Sequence, residues 1–459
     1  MQEKYDYIVI GGGVVGAMIA RWLSRYEGRL LLIEKEADIG MGCSSANTAI
    51  VHAGYDPLPG SLKALMNVRA NPMWDQLAGD LNFAFERRGD YVVAVGDEEV
   101  PLVEKLMDQG RKNGVPGMLM IDGAEMRSRE RSINPEVSGA LWASTGGICD
   151  PFQVTVAAAE NAVMNGATVL LNTAFIDFIW EGNRVIGVKT NKGDFLARWV
   201  INSAGIYSDE VMHKAGVRPE FIIKPRKGEY FIFDRAEVQI HNVLFPVPSS
   251  KGKGILVTGT LHENTIVGPN GNVIDDKEDT SLTKDGMDEL VQGALKLVPS
   301  LNLRHSIANF VGLRPMGNGP CMTPGINYNN DYVIEVPEKV QGFVNLGGIE
   351  SPGLTSAPAI AERVVDLMKD AGEAFVVKQS WDPIRPARPR YSKMTHQERK
   401  LLCDVDPRYG RVICRCENVT EGEIIAEMHA PVPSLTYDAI KRRTWLGTGR
   451  CQGGFDMTR

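Results

Sequence analysis

The sequence predicts an α/β fold in which a parallel core is interrupted by an α+β layer of antiparallel sheet and followed by a small cysteine-containing domain. Three observations predict it. The opening residues read strand, glycine turn, helix, strand, which is a βαβ unit. The middle of the chain mixes amphipathic helices with hairpin-like strands. After the segment WDPIRPARPRY at 381–391, four of the seven cysteines fall within the last 57 residues.

Each element follows from a local pattern. Tyr5 to Ile10 is apolar and β-branched, Val14 to Arg25 repeats apolar residues at helical spacing, and Arg29 to Ile33 is apolar again. Between them Gly11, Gly13 and Gly16 form G-x-G-x-x-G, and Glu34 ends the second strand 18 residues beyond Gly16. The first glycine permits the tight turn, the second lets backbone approach a pyrophosphate, and the third lets helix and strand pack. Amides at the helix start favour phosphates, and the Glu34 carboxylate suits a ribose diol while disfavouring a 2′-phosphate. Strand, helix, second strand and terminal acid together predict a dinucleotide site. Farther on, Phe152 to Met164 and Ser281 to Leu297 read as helices, and Phe175 to Thr190 as a hairpin around Glu181, Gly182 and Asn183. Ser356 to Lys369 is a closing amphipathic helix. Pro383, Pro386 and Pro389 lack backbone donors and favour an extended linker over 380–395.

Composition bounds the function. A length of 459 residues suits two or three domains, and 43% hydrophobic residues exclude disorder of the bulk. Fifty basic against 57 acidic residues give −7, the wrong sign for a nucleic-acid binder. The tail from Ser380 differs, with 14 Lys plus Arg against 10 Asp plus Glu. No window approaches the roughly 18 apolar residues of a transmembrane segment. Met1 to Tyr7 is polar and unlike a signal peptide, so the expectation is a cytoplasmic chain whose cysteines are thiols or metal ligands.

Three segments carry a resemblance: IVIGGGVVG near the start, VINSAGIYSD at 200–209 and NLGGIESPGLTSAPAIAERV at 345–364. Over about the first 370 residues the chain resembles FAD-dependent oxidoreductases related to D-amino acid oxidase. The resemblance implies a Rossmann-like FAD-binding domain built from 1–80, 145–220 and 336–379, with a substrate domain from 81–144 and 221–335. It implies FAD contacts from Val15, Lys35, Phe175, Ala204 and Gly205 beside the glycine turn. It further implies flavin contacts from Gly347, Gly348, Pro352, Gly353 and Leu354, at a turn whose helix dipole would stabilise the anionic reduced ring. GCSSANTAIVHAGYDPLPGSLKA at 42–64 resembles the family's second flavin contact and is close to the subgroup of L-2-hydroxyglutarate oxidases. Ser44, Ser45, Asn47 and Thr48 would run beside the pyrophosphate and flavin, and His52 would lie near the ring.

Hydride transfer needs a proton acceptor and an anchor for the rest of the substrate. The resemblance places an anion-binding arginine at Arg314 in FVGLRP, whose planar fork matches carboxylate or phosphate. Lys227 and Tyr230 in RKGEYF match a strand lining the cavity in related proteins. His52 and His262 are the candidate proton acceptors, each also readable as a structural residue.

ICRCENVTEGE at 413–423 and RRTWLGTGRCQGGF at 442–455 resemble the small domain of bacterioferritin-associated ferredoxin, as appended to the A subunit of anaerobic glycerol-3-phosphate dehydrogenases. The resemblance implies a [2Fe–2S] site in a domain over 396–459, with Cys414, Cys416 and Cys451 as ligands. The family's fourth cysteine is replaced by Asp456. Three readings stay open: a cluster completed by a carboxylate, by Cys403 or by a partner subunit, a tetrahedral zinc site, and no metal. The chain also stops near where such domains continue into a helix, which leaves truncation open.

The resemblance therefore implies an FAD-dependent dehydrogenase of a small anionic substrate, glycerol 3-phosphate first, that hands electrons to a partner subunit, through which it would reach a membrane surface. A 2-hydroxy acid or an amino or imino acid is the alternative substrate. A flavin-bearing electron-transfer subunit without its own substrate is the alternative class.

Overall fold

The computed structural model describes residues 3–457 except 237, 239, 249–253, 322, 324 and 325. Among them, the strands Thr168–Leu170, Leu30–Ile33, Tyr7–Ile10, Trp199–Asn202, Phe343–Gly347 and Val333–Glu335 form a six-stranded sheet in that order. Pairing is parallel except at the last strand. Central strands covered on both faces need unbroken apolar sequence, and YIVI and LLLI are buried at every position. The helices Val14–Leu23, Pro151–Met164 and Gly353–Asp370 pack on one face, where a seam of small residues, Ala17, Ala20, Ala158, Ala361, lets their backbones approach. The hairpin of Phe175–Glu181 and Arg184–Thr190 covers the other face through Phe178 and Val188.

A nine-stranded sheet forms the second layer. Its longest pair is Ile223–Phe233 with Ser306–Gly317, antiparallel, with Arg226 opposite Arg314. The helix Lys284–Leu297 buries Leu290, Ala294 and Leu297 against this sheet, and its Thr283 cap accepts from the Gly286 amide. Val333–Glu335 belongs to the six-stranded sheet, so that sheet draws on residues just before 336. The antiparallel edge strand is too short to announce itself by alternation.

The proline-rich segment is extended but pinned. Asn161 and Asn165 donate to the Asp382 carbonyl oxygen. Arg385 and Arg388 both reach the fully buried Glu160, at 2.5 and 2.8 Å, and Arg388 also grips Glu427 of the small domain at 2.8 Å. That domain holds the two-stranded Val412–Cys414 and Val419–Thr420 pair and the helices Glu421–Met428 and Tyr437–Thr444. No helix among the described residues is long and apolar enough to cross a membrane.

Candidate functional site

A cavity of about 1480 Å³ is lined by residues of both sheets. Pockets for one small ligand run to roughly 1,000 Å³, so there is room for an extended dinucleotide and a second molecule. At one end the turn after Tyr7–Ile10 places Gly11, Gly13 and Val15 on the wall. Gly11 has φ +100°, and a β-carbon there would stand 2.6 Å from the Ser203 carbonyl oxygen. Only glycine turns so close to that backbone. The helix Val14–Leu23 starts with no side-chain cap from Gly13 and no acid in its first turn, and its Val14 amide donates to Ser44 Oγ at 2.9 Å. Such an end suits a diphosphate.

Glu34 accepts from the Gly12 amide at 2.6 Å and the Glu36 amide at 2.9 Å, one on each oxygen. Lone pairs remain on both oxygens for a ribose diol. Lys35, Phe175, Ala204 and Gly205 line the same end, and Ser45, Asn47 and Thr48 line the wall that follows Ser44.

At the far end Gly347 and the stretch Pro352, Gly353, Leu354 form the wall. The helix Gly353–Asp370 begins there, again without a side-chain cap or an acid in its first turn. It starts three residues earlier than the sequence pattern predicts, because Gly353 and Leu354 continue into the helix. His52 lines this end. Its amide donates to Thr355 Oγ1, its carbonyl accepts from Asn67 and Asn71, and Nε2 lies 3.5 Å from Ser351 Oγ. Tyr230 stacks on Phe310 with centroids 4.4 Å apart, and burial pushes its phenol up, so it remains a neutral donor.

The charges gather at the same end. Lys63 pairs with Glu350 at 2.9 Å, Asn330 donates to that carboxylate at 2.9 Å, and Arg226 stands 3.9 Å away. Burial would push Glu350 up, but Lys63, Arg226 and Arg314 outweigh it and hold it at about 2. Arg314 donates to the Arg226 and Asn270 carbonyl oxygens, at 3.3 and 2.7 Å. With Lys63 matched by Glu350, the two guanidinium groups carry the charge available to an anion.

The small domain brings its cysteines together. Cys414 is fully buried, and burial followed by the Asp456 carboxylate pushes its thiol up to about 11. The Gly447 and Glu417 amides lie beside its sulfur. The Cys451 amide lies beside the sulfur of Cys416, whose thiol stands against that of Cys451. A β-carbon on Gly449 would lie 2.5 Å from Cys416 Cβ, so glycine keeps the space beside the thiols open. Amides beside sulfur and a glycine-walled recess fit an iron–sulfur group. Among the described residues no three His, Cys, Asp or Glu side chains converge on one metal ion, so the zinc reading gains no support.

A profile of FAD dependent oxidoreductases (DAO) matches residues 6–367. The chain belongs to that family. A second profile, the BFD-like [2Fe-2S] binding domain, matches residues 412–453. A glycerol 3-phosphate dehydrogenase of Caloramator mitchellensis is 40% identical, with 98% of this chain and 92% of that one covered. An L-2-hydroxyglutarate dehydrogenase of Escherichia coli K12 is 27% identical over 69% of this chain and 75% of its own length. The dithionite-reduced, FAD-bound structure of L-alpha-glycerophosphate oxidase from Mycoplasma pneumoniae superposes with a TM-score of 0.78 at 29% identity, covering 84% of this chain and all of that one.

Within this DAO-family chain four of the residues selected from the sequence for flavin or substrate lie away from the cavity wall. Lys227 points to the opposite face of its strand and bonds Asp279 at 2.9 Å and Ser281 at 3.2 Å. His262 stacks against Trp445 of the small domain, centroids 3.7 Å apart, where burial pulls it down to about 3. Neither is placed to meet a substrate. Gly16 packs against the Gly11 carbonyl, and Gly348, with φ +67°, packs beside Asp331. Sequence reasoning assigned no role to Lys63, Arg226 or Glu350. Arg226 had a signal: strand residues two apart share a face, so if Tyr230 lines the cavity, Arg226 lines it and Lys227 does not.

Proposed function

We propose that this protein oxidises sn-glycerol 3-phosphate to dihydroxyacetone phosphate and passes the electrons to a partner. The observation that carries the reading is the pair Arg226 and Arg314 at the same end of the cavity as His52 and the uncapped Gly353–Asp370 helix. FAD, which the groove from Gly11 to Leu354 fits, supplies the hydride acceptor. The two guanidinium groups bind the phosphate dianion in fork geometry. Tyr230 donates to a substrate oxygen. His52 takes the hydroxyl proton, held in place by Thr355, Asn67 and Asn71.

A 2-hydroxy dicarboxylate also offers two anionic oxygens to those arginines, and the Escherichia coli relative is named for one. L-2-hydroxyglutarate is therefore the control. Anaerobic addition of glycerol 3-phosphate to the oxidised protein should bleach the flavin, and L-2-hydroxyglutarate should bleach it far more slowly. Replacing Arg314 by Ala should weaken glycerol 3-phosphate by about 2–5 kcal/mol in kcat/KM. A flavin that glycerol 3-phosphate leaves oxidised ends this reading, and faster reduction by L-2-hydroxyglutarate transfers it to the hydroxy acid.

A further inference from the structure

We infer that Asp456 is an oxygen ligand of the small domain's metal centre, making a [2Fe–2S] site of three thiolates and one carboxylate. The inference rests on the small domain alone and is independent of the substrate.

Asp456 is 4% exposed, while its neighbours Phe455 and Met457 are 53% and 68% exposed. The chain thus turns a carboxylate inward and two large apolar side chains outward, against the hydrophobic preference of all three residues. Among the described residues no ion pair repays this. Neither Asp456 oxygen has a hydrogen-bond partner among the described residues, and neither does the nearby Tyr437 hydroxyl. The Cys414 thiol stands against the carboxylate without satisfying either oxygen. Two basic side chains of the cysteine segments are engaged elsewhere: Arg415 stacks on Phe455, and Arg450 holds Asp234 at 3.0 Å. A buried carboxylate met, among the described residues, by no donor stronger than a thiol is strongly unfavourable, and such groups are matched by a cation or a metal.

The arrangement of the four ligands says which metal centre. They meet two by two, Cys414 with Asp456 in the interior and Cys416 with Cys451 nearer the surface. One tetrahedral ion needs three or four ligands at a single point, which the described residues do not form. In a [2Fe–2S] centre each iron takes two protein ligands, so two adjacent pairs match it. Asp456 and Cys414 would then hold the centre from the interior side, and Cys416 and Cys451 from the surface side. Each thiol releases its proton as its Fe–S bond forms. The carboxylate, a harder ligand than thiolate, shifts the potential and the charge-transfer spectrum of the centre.

The test uses the full chain, reconstituted anaerobically with ferric iron and sulfide and assayed for both elements, its visible spectrum and its midpoint potential. The expected content is about two iron and two sulfide per chain. Replacing Asp456 by Ala should remove at least about half of each, with bound FAD unchanged as the sign that the chain is folded. Asp456→Cys should retain the full content, with the charge-transfer bands and the potential moved because sulfur replaces oxygen. Asp456→Ala with wild-type iron, sulfide and spectrum overturns the inference, as does Asp456→Cys with an unshifted spectrum. A wild-type chain that takes up neither iron nor sulfide also overturns it, while its flavin reduction by glycerol 3-phosphate still reports on the substrate reading separately.

Discussion

At Glu350 burial and charge pull in opposite directions, and three cations decide the outcome. The carboxylate sits at about 2, below its usual 4.5, because Lys63, Arg226 and Arg314 outweigh burial. A folded value below the unfolded one means that ionised Glu350 contributes stability present above pH 4.5 and lost as the pH falls toward 2. Glu350→Gln should leave Lys63, 4% exposed, without its counter-charge. A cost of about 3 kcal/mol is expected in denaturant unfolding of the FAD-loaded protein. A loss under about 1 kcal/mol would mean the pair is no stronger than a surface one. The pair was not legible in sequence: its members are 287 positions apart, and neither carries a motif.

On the scale of one element, the strand Ile223–Phe233 separates two jobs by alternation. Arg226 and Tyr230 face the cavity, whereas Lys227 and Glu229 face the segment leading into the Lys284–Leu297 helix, where Glu229 accepts from Thr283 and Asn270. Arg226→Ala should raise KM for glycerol 3-phosphate by about tenfold or more, the equivalent of at least about 1.4 kcal/mol. Lys227→Met should leave KM within about twofold while lowering thermal stability, since it strips a buried amine from Asp279 and Ser281. Equal KM effects from both variants would contradict the alternation. The RKGEYF motif thus marked the correct strand, with Tyr230 on the cavity side and Lys227 on the other. A motif identifies residues, and only the period of two says which of them share a face. The βαβ turn was legible to the residue because its glycines answer to backbone sterics, which are local. The hairpin was legible because its turn interrupts two apolar runs.

The whole molecule is held together where sequence said least. The small domain docks on the first βαβ unit and on the Pro151–Met164 helix. Asp38 receives Arg442 at 3.0 Å and Arg443 at 2.5 Å, Trp445 donates to Asp150 at 3.0 Å, and Arg450 pairs with Asp234. These partners lie hundreds of positions apart and obey no period, so a segment readable only as a proline-rich linker and a basic tail becomes a fixed appendage. His262 lies in that contact, against Trp445. Its ordinary value of 6.5 falls to about 3 through burial first and then through Lys393, Arg390 and Arg235. The neutral ring therefore contributes docking stability that is complete above pH 6.5 and is lost as the pH falls toward 3. Asp150 has the opposite sign. Burial raises it from 3.8 to about 6 against the pull of two helix amides and the Trp445 indole, so its contribution is lost as the pH rises through 6. The His262 displacement is the larger, and the net effect is a small domain that loosens on acidification. Hydrogen exchange over residues 437–457 should speed up, beyond its intrinsic pH dependence, between about pH 7 and pH 5. In His262→Gln that excess should vanish. If the excess persists in His262→Gln, the pH dependence belongs to another group in the interface.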